Sequence, residues 1–243
     1  MINLFRRTFH RTPPTSVPAR DRLHLPNVTL YMYDCAHPQT GLAVLKHCSR
    51  LVQFGACVMV TNADLPAPGH IQMIKTTGKT LIDYNKHIVL EMTRNVSTDF
   101  ALVVQTDGFI LNPEKWKPEF LQFDYIGAPW GSGLQQDYPF GTRVGNGGFS
   151  LRSKKLMDLT STFTDYDPDR LSGFDWAEDF YVCKVRYQEL LRLNIKIADL
   201  ATAADFSLEA DIPEHPRTYA DVFGFHGRFK RTQKFIKGIK NLP

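Results

Sequence analysis

Three places in this chain combine reactive side chains with a spacing that chemistry can use. The first is Asp107. An apolar run from Phe100 to Val104 stops at Gln105, Thr106, Asp107 and Gly108. Five such apolar residues suit a strand buried on both faces, and open α/β sheets bind ligands at the carboxyl ends of such strands. A carboxylate at that point, followed by a flexible glycine, is a candidate for holding a cation or a polyphosphate; Asp-Gly is equally a common turn pair. The second place is Glu178-Asp179, in the opening turn of a helix expected to run from Phe174 to about Asn194. The helix dipole favours acids there and explains both structurally. It is also expected to keep them ionised, able to take a proton from a hydroxyl. The third is His226 in Phe223-Gly-Phe-His-Gly227. Glycines on both sides let an imidazole approach a metal or phosphate closely, although a lone histidine is more often structural.

The elements that must position these groups follow from periodicity. Asn27–Tyr33 reads as a first strand with Asp34 at its tip, Gly41–Phe54 as a crossover helix and Ala56–Thr61 as a second strand, an order that implies a parallel pair. Ile71–Ile74 fits a short edge strand. Thr80–Arg94 reads as a helix with Tyr84, Asn85 and Lys86 near its start, where free backbone N–H groups suit an anion; surface polar residues on an amphipathic helix are the alternative. Phe123–Trp130 is a strand running into a turn, and residues 131–143, rich in Gly, Gln, Pro and Tyr, read as a loop able to close over a substrate. Val144–Ser153 has three glycines in four positions before an alternating strand but lacks the G-x-G-x-x-G order. It is expected to be a turn where backbone approaches a ligand, with Asn146 donating to a hydroxyl. Lys154–Thr162 is a helix, 165–172 an acidic loop and Ile195–Ile197 a short strand.

Composition narrows the class. The chain has 243 residues, 43% hydrophobic and 22% charged, which fits one ordinary globular domain. No apolar run approaches the roughly 20 residues of a membrane span, no secretory signal pattern is present, and four scattered cysteines suit a reduced, cytoplasmic setting. The net charge of +4 is uneven: Arg6, Arg7, Arg11 and Arg20 lie in an N-terminal arm (1–26), and six more cations without an acid lie in 228–243, leaving residues 21–227 at −6. Phe229, Phe235, Ile236 and Ile239 interleave with those C-terminal cations at near-helical spacing. Such a tail suits an anionic membrane surface, giving a peripheral location, or a terminal helix docked on the body. Nucleic acid is not expected as a partner, because the cations lie at the ends and not on an aromatic-studded sheet. Oligomeric state is not legible.

QTDGF at 105–109, YIGAPW at 125–130, GNGGFSLRS at 145–153, ED at 178–179, FSLE at 206–209 and FGFHG at 223–227 together resemble a family of little-characterised bacterial and viral GT-A type glycosyltransferases. The resemblance covers residues 27–227. It implies a single-domain, Rossmann-like α/β/α sandwich with a mixed, mostly parallel central sheet, binding a nucleotide-diphosphate sugar in its N-terminal half and a glycan or glycolipid acceptor in its C-terminal half. Asp107 is similar to the last acid of the D-x-D motif that holds a divalent cation, Mn2+ or Mg2+, on the donor diphosphate. Gln105 stands where the first acid would be, a neutral and weaker ligand, and His226 matches a C-terminal metal-binding histidine. Glu178-Asp179 is similar to the acidic pair that deprotonates the acceptor in inverting members. The expected donor-binding set is thus Asp34, Asn85, Gln105, Thr106 and Asp107. The expected acceptor set is Trp130, Asn146, Gly147 and Trp176, the tryptophans offering apolar faces to a sugar ring or else filling the core. A retaining mechanism is the nearest rival. A sugar nucleotidyltransferase would need a Gly/Lys/Arg-rich signature after the first strand, where this chain has Asp34-Cys-Ala-His37. A non-catalytic binding module takes its support from Gln105.

Overall fold

Strand β1 (Leu23–Tyr33) is the spine of the molecule. The computed structural model of the chain describes residues 22–131 and 142–227, together with Gly238. Consecutive β1 side chains enter opposite hydrophobic clusters: Leu30 and Met32 pack with Leu42, Val44 and Leu45 of α1 (Pro38–Leu51), whereas Tyr31 and Tyr33 pack with Tyr84, Ile88 and Met92 of a second helix. Two buried faces on one strand require a helical layer on each side.

The main sheet has six strands in the order β3-β2-β1-β4-β7-β6, with β2 at Val52–Thr61, β3 at Gln72–Lys75, β4 at Phe100–Val103, β6 at Tyr125–Gly127 and β7 at Ser150–Ser153. β1, β2, β3 and β4 run parallel, and β7 joins antiparallel to both β4 and β6. The chain builds outward from β1 to β3 and then returns to the other flank of β1 as β4. The strand order therefore reverses between β1 and β4, and a crevice forms outside their carboxyl ends. Asp34 and Gln105–Asp107 follow those ends directly. A second, three-stranded sheet, β5-β9-β8, sits beside the crevice, with β5 at Gly108–Ile110, β8 at Ser207–Leu208 and β9 at Gly224–His226.

Helix α2 (Leu81–Lys86) opens with a capping box in which Thr80 and Asp83 satisfy each other's backbone N–H groups. It continues through a π turn (His87–Glu91) and a 3-10 turn (Met92–Asn95). Helix α3 (Lys154–Thr160) is capped by the Ser153 hydroxyl. The helix opened by the acidic pair is broken into α4 (Glu178–Phe180), a π turn (Tyr181–Val185) and α5 (Tyr187–Arg192).

Several expected boundaries move. β1 starts at Leu23, not Asn27, because a register shift between Leu25 and Thr29 absorbs Pro26, which has no N–H to pair. Helix α1 ends at Leu51 and β2 starts at Val52, four residues before the expected Ala56. Ile195–Ile197 contributes a single bridge, Ile197 to Tyr125, and not a strand. Helix α6 (Leu200–Phe206), capped by Asp199, was not expected. The basic arm up to residue 21, loop residues 132–141 and the tail apart from Gly238 lie outside the described residues. No helix among the described residues is long and apolar enough to cross a membrane.

Candidate active site

Past the end of β4 the chain makes a tight turn, in which the N–H and C=O groups of Gln105 and Gly108 bond to each other. The common turn pair and the carboxylate at the strand end are thus the same feature, and the turn presents Asp107. β5 then pairs antiparallel with β9, setting Gly108 opposite His226, while the Gly227 N–H donates to the Asp107 carbonyl. A residue 119 positions downstream is thereby held against the strand tip. His226 Nε2 lies 3.8 Å from Asp107 Oδ1 and 3.2 Å from Gln105 Oε1, and its Nδ1 lies 3.1 Å from Glu209 Oε1. Gln105 is oriented by its amide, which donates to the Tyr84 hydroxyl at 2.8 Å. Burial alone would lower the imidazole pKa, but Glu209, Asp107 and Asp179 more than offset this and raise it.

The glycine run ahead of β7 forms the floor. A Cβ on Gly148 would fall 2.1 Å from His226 Nε2 and 2.8 Å from Gln105 Oε1, and one on Gly147 would fall 1.8 Å from Glu178 Oε1. Only glycine fits at either position, and the strip lies between two groups of polar side chains. On its far side the Gly147 N–H donates to Asp179 Oδ2 at 3.1 Å. Glu178 is 3% exposed, and Arg152 contacts both its oxygens, Oε1 at 2.8 Å and Oε2 at 2.7 Å. Arg152 also lies over the Tyr125 ring. Burial and then the neighbouring Glu178 charge push Asp179 up to about 7, against the opposing N–H bonds from Gly147 and Phe180 and the Arg152 charge. This corrects the dipole expectation: burial and the adjacent Glu178 charge outweigh whatever the helix start contributes to keeping this carboxylate ionised.

Other expected site residues divide. Asp34 accepts the N–H groups of Ala36 and His37; burial, with Asp107 nearby, raises its pKa. Thr106 is half-buried in the strand-tip turn. Asn85 is buried and bonded internally: its Oδ1 accepts the Glu178 N–H at 2.8 Å and its Nδ2 donates to Leu81 O at 2.7 Å, so it ties α2 to the acidic helix. Asn146 uses its Oδ1 to accept the Gly148 N–H, which shapes the glycine strip. Trp130 presents no open face, being 7% exposed and packed on Phe180 at 4.7 Å and against Gly145. Trp176 is half-buried, and its carbonyl accepts the Tyr166 hydroxyl.

The residues that sequence reasoning missed are Arg152 and Glu209; Tyr84 and Gly148 stood in stretches it singled out, without the contacts they make here. Arg152 and Glu209 stand inside quoted motifs, GNGGFSLRS and FSLE, and that was their only signal. Among the described residues no group of three or more His, Cys, Asp or Glu forms a metal cage; the site offers Asp107, His226 and the neutral Gln105.

A reversing, mostly parallel sheet layered by helices with polar groups at its switch point is a Rossmann-like, GT-A type arrangement, and comparison with a solved structure agrees. The chain superposes on a galactosyltransferase, LgtC, in complex with donor and acceptor sugar analogs, with TM-score 0.51 and 11% identity over 88% of this chain and 97% of that one. A glycosyltransferase involved in glycosylation of the major capsid of PBCV-1 gives TM-score 0.46 and 13% identity, covering 88% and 99%. No curated protein sequence matches. The chain belongs to the family described as protein of unknown function (DUF5672), whose pattern matches residues 79–226. That span contains every polar residue of the site except Asp34.

Proposed function

We propose that the protein is a glycosyltransferase that moves a sugar from a nucleotide-diphosphate donor to an acceptor hydroxyl of a glycan or glycolipid, with inversion. The observation that carries this is the pairing of Asp107 and His226 on one side of the Gly147–Gly148 strip with Asp179, at about 7, on the other. A base poised near neutrality suits proton removal from an alcohol. Because Arg152 occupies both oxygens of Glu178, only Asp179 is assigned the base role. The Gly147 and Phe180 N–H groups hold Asp179 in place, and Glu178 keeps its proton affinity high. The donor diphosphate sits at the switch point, beside Asp34, Thr106 and Asp107.

The donor set fits a divalent cation. With Nδ1–H directed at Glu209, neutral His226 turns the lone pair of Nε2 toward Gln105 Oε1 and Asp107 Oδ1. Three acceptors facing one another need a cation or an extra proton between them, and diphosphate oxygens would complete a Mn2+ or Mg2+ shell. When bound, the ion neutralises charge on the departing diphosphate. Glu209 fixes the imidazole tautomer, and Tyr84 fixes the Gln105 amide.

The test is sugar transfer, or donor hydrolysis, by Asp107→Ala and Asp179→Asn proteins over a panel of nucleotide-sugars. Wild-type rates from both would remove the mechanism. NMR of the anomeric centre of the product reads inversion directly, and a retained configuration would overturn that part.

A further inference from the structure

At the other end of the sheet the layers part. β3 pairs with β2 only from Val58 to Thr61, so among the described residues Val52–Cys57 carries no strand on its outer side. A cavity of about 760 Å3 opens there, bounded by that stretch and by Arg22, Lys46, Ser49, Arg50 and His70. Among the described residues no Asp or Glu lines it. The basic groups gather on the last turn of α1: Lys46 and Arg50 are four residues apart on one face, Arg22 Nη1 donates to Ser49 O at 3.4 Å, and His70 Nε2 lies 3.3 Å from Ser49 Oγ. Arg22 Nε is buried with no hydrogen-bond partner among the described residues, a donor free to serve a ligand in the cavity.

Charge selects the ligand. The α1 carboxyl terminus offers about half a negative charge, so most of three positive charges stays uncompensated. One carboxylate would still leave an excess, whereas a phosphomonoester, at about −1.5 to −2, comes close to balance. The volume lies in the range of ligand pockets, about 300–1,000 Å3. We propose that this cavity is a second binding site, for a phosphate group, separate from the site at Asp107. β1 spans 11 residues between the two, roughly 30 Å at ~3.3 Å per residue. The phosphate is carried either by a soluble ligand or by an anionic lipid headgroup.

Two probes separate those sources: inorganic phosphate followed by calorimetry, and sedimentation with vesicles of phosphatidylcholine with or without phosphatidic acid. The full chain is compared with Arg50→Gln, with Lys46→Gln/Arg50→Gln and with Asp107→Ala. Arg50 is exposed, so its substitution leaves folding intact, which circular dichroism checks. The wild-type chain is expected to bind at least one probe, the double variant roughly tenfold more weakly or worse, and Asp107→Ala as wild type. Phosphate binding alone identifies a soluble ligand, and binding only to phosphatidic acid vesicles identifies a headgroup. Failure of both probes, or binding that the double variant retains, overturns the proposal; retained vesicle binding would belong to the basic ends of the chain.

Discussion

The two sides of the glycine strip use the same residue types to opposite effect. On the Asp107 side, a carboxylate faces an imidazole whose proton affinity is raised by Glu209, Asp107 and Asp179 despite burial, so this cluster attracts positive charge, a proton when empty or a cation in its place. On the Asp179 side, burial and a fixed acid, Glu178, raise a carboxylate to about 7, so the group gathers a proton it can later exchange. What separates the two is the partner that each acid is given. Asp107 has an imidazole 3.8 Å away, whereas the guanidinium nearest Asp179 is already committed to Glu178 through contacts of 2.7 and 2.8 Å. In the proposed reaction one side holds an anion through a cation and the other moves a proton.

The largest expected effect comes from removing the proton acceptor. Asp179→Asn should lower the transfer rate by about 10²- to 10⁴-fold with donor affinity nearly unchanged, which steady-state kinetics on a matched donor–acceptor pair would read. If rate and affinity fell together, the two sides would not be separate. Next comes Glu178→Gln, which leaves the buried Arg152 charge half-compensated and should cost about 3–5 kcal/mol of stability, measured by urea unfolding. Since Glu178 raises the Asp179 pKa, the acid limb of the pH–rate profile should also move to lower pH in that variant.

A smaller effect is expected on the other side. Glu209→Gln removes the acid that orients Nδ1 and should weaken metal-supported activity about 10- to 100-fold while leaving the acid limb near 7 in place. A shifted limb would assign that ionisation to His226. The smallest effect is a gain in stability. A carboxyl raised from its ordinary value to about 7 gives stability that is fully present below about pH 4 and lost as pH climbs to 7. Asp179→Asn should therefore melt above wild type at pH 8 and lose that advantage below about pH 4. Melting curves at pH 8 and pH 4 decide it.

The parallel half of the fold was legible because its strands are apolar on both faces: Phe100–Val104 and Asn27–Tyr33 stand out, and Asp34 and Asp107 were found as the polar residues that end them. The antiparallel half was less so. β5, β8 and β9 have only two or three residues each, and nothing periodic reveals that Gly108 pairs with His226. Motif order brought His226 and the acidic pair into view, but composition alone does not show that Arg152 crosses beneath the glycines to hold Glu178. Asn85 was read as a ligand group from its place at a helix start and Trp130 from its ring; here the Glu178 N–H and the Leu81 carbonyl take the Asn85 amide and the Phe180 ring covers the indole, while Asn146 uses only its Oδ1 internally. Helix α6 escaped because seven residues with a short apolar stripe give too few turns for a period to show.

The division of labour across Gly147–Gly148 is tested most directly by measuring donor binding and transfer together in two variants. With nucleotide-diphosphate sugar and Mn2+, calorimetry should show Asp107→Ala losing donor affinity and Asp179→Asn keeping it, while both lose transfer. Wild-type donor binding by Asp107→Ala, or wild-type transfer by Asp179→Asn, would contradict the account.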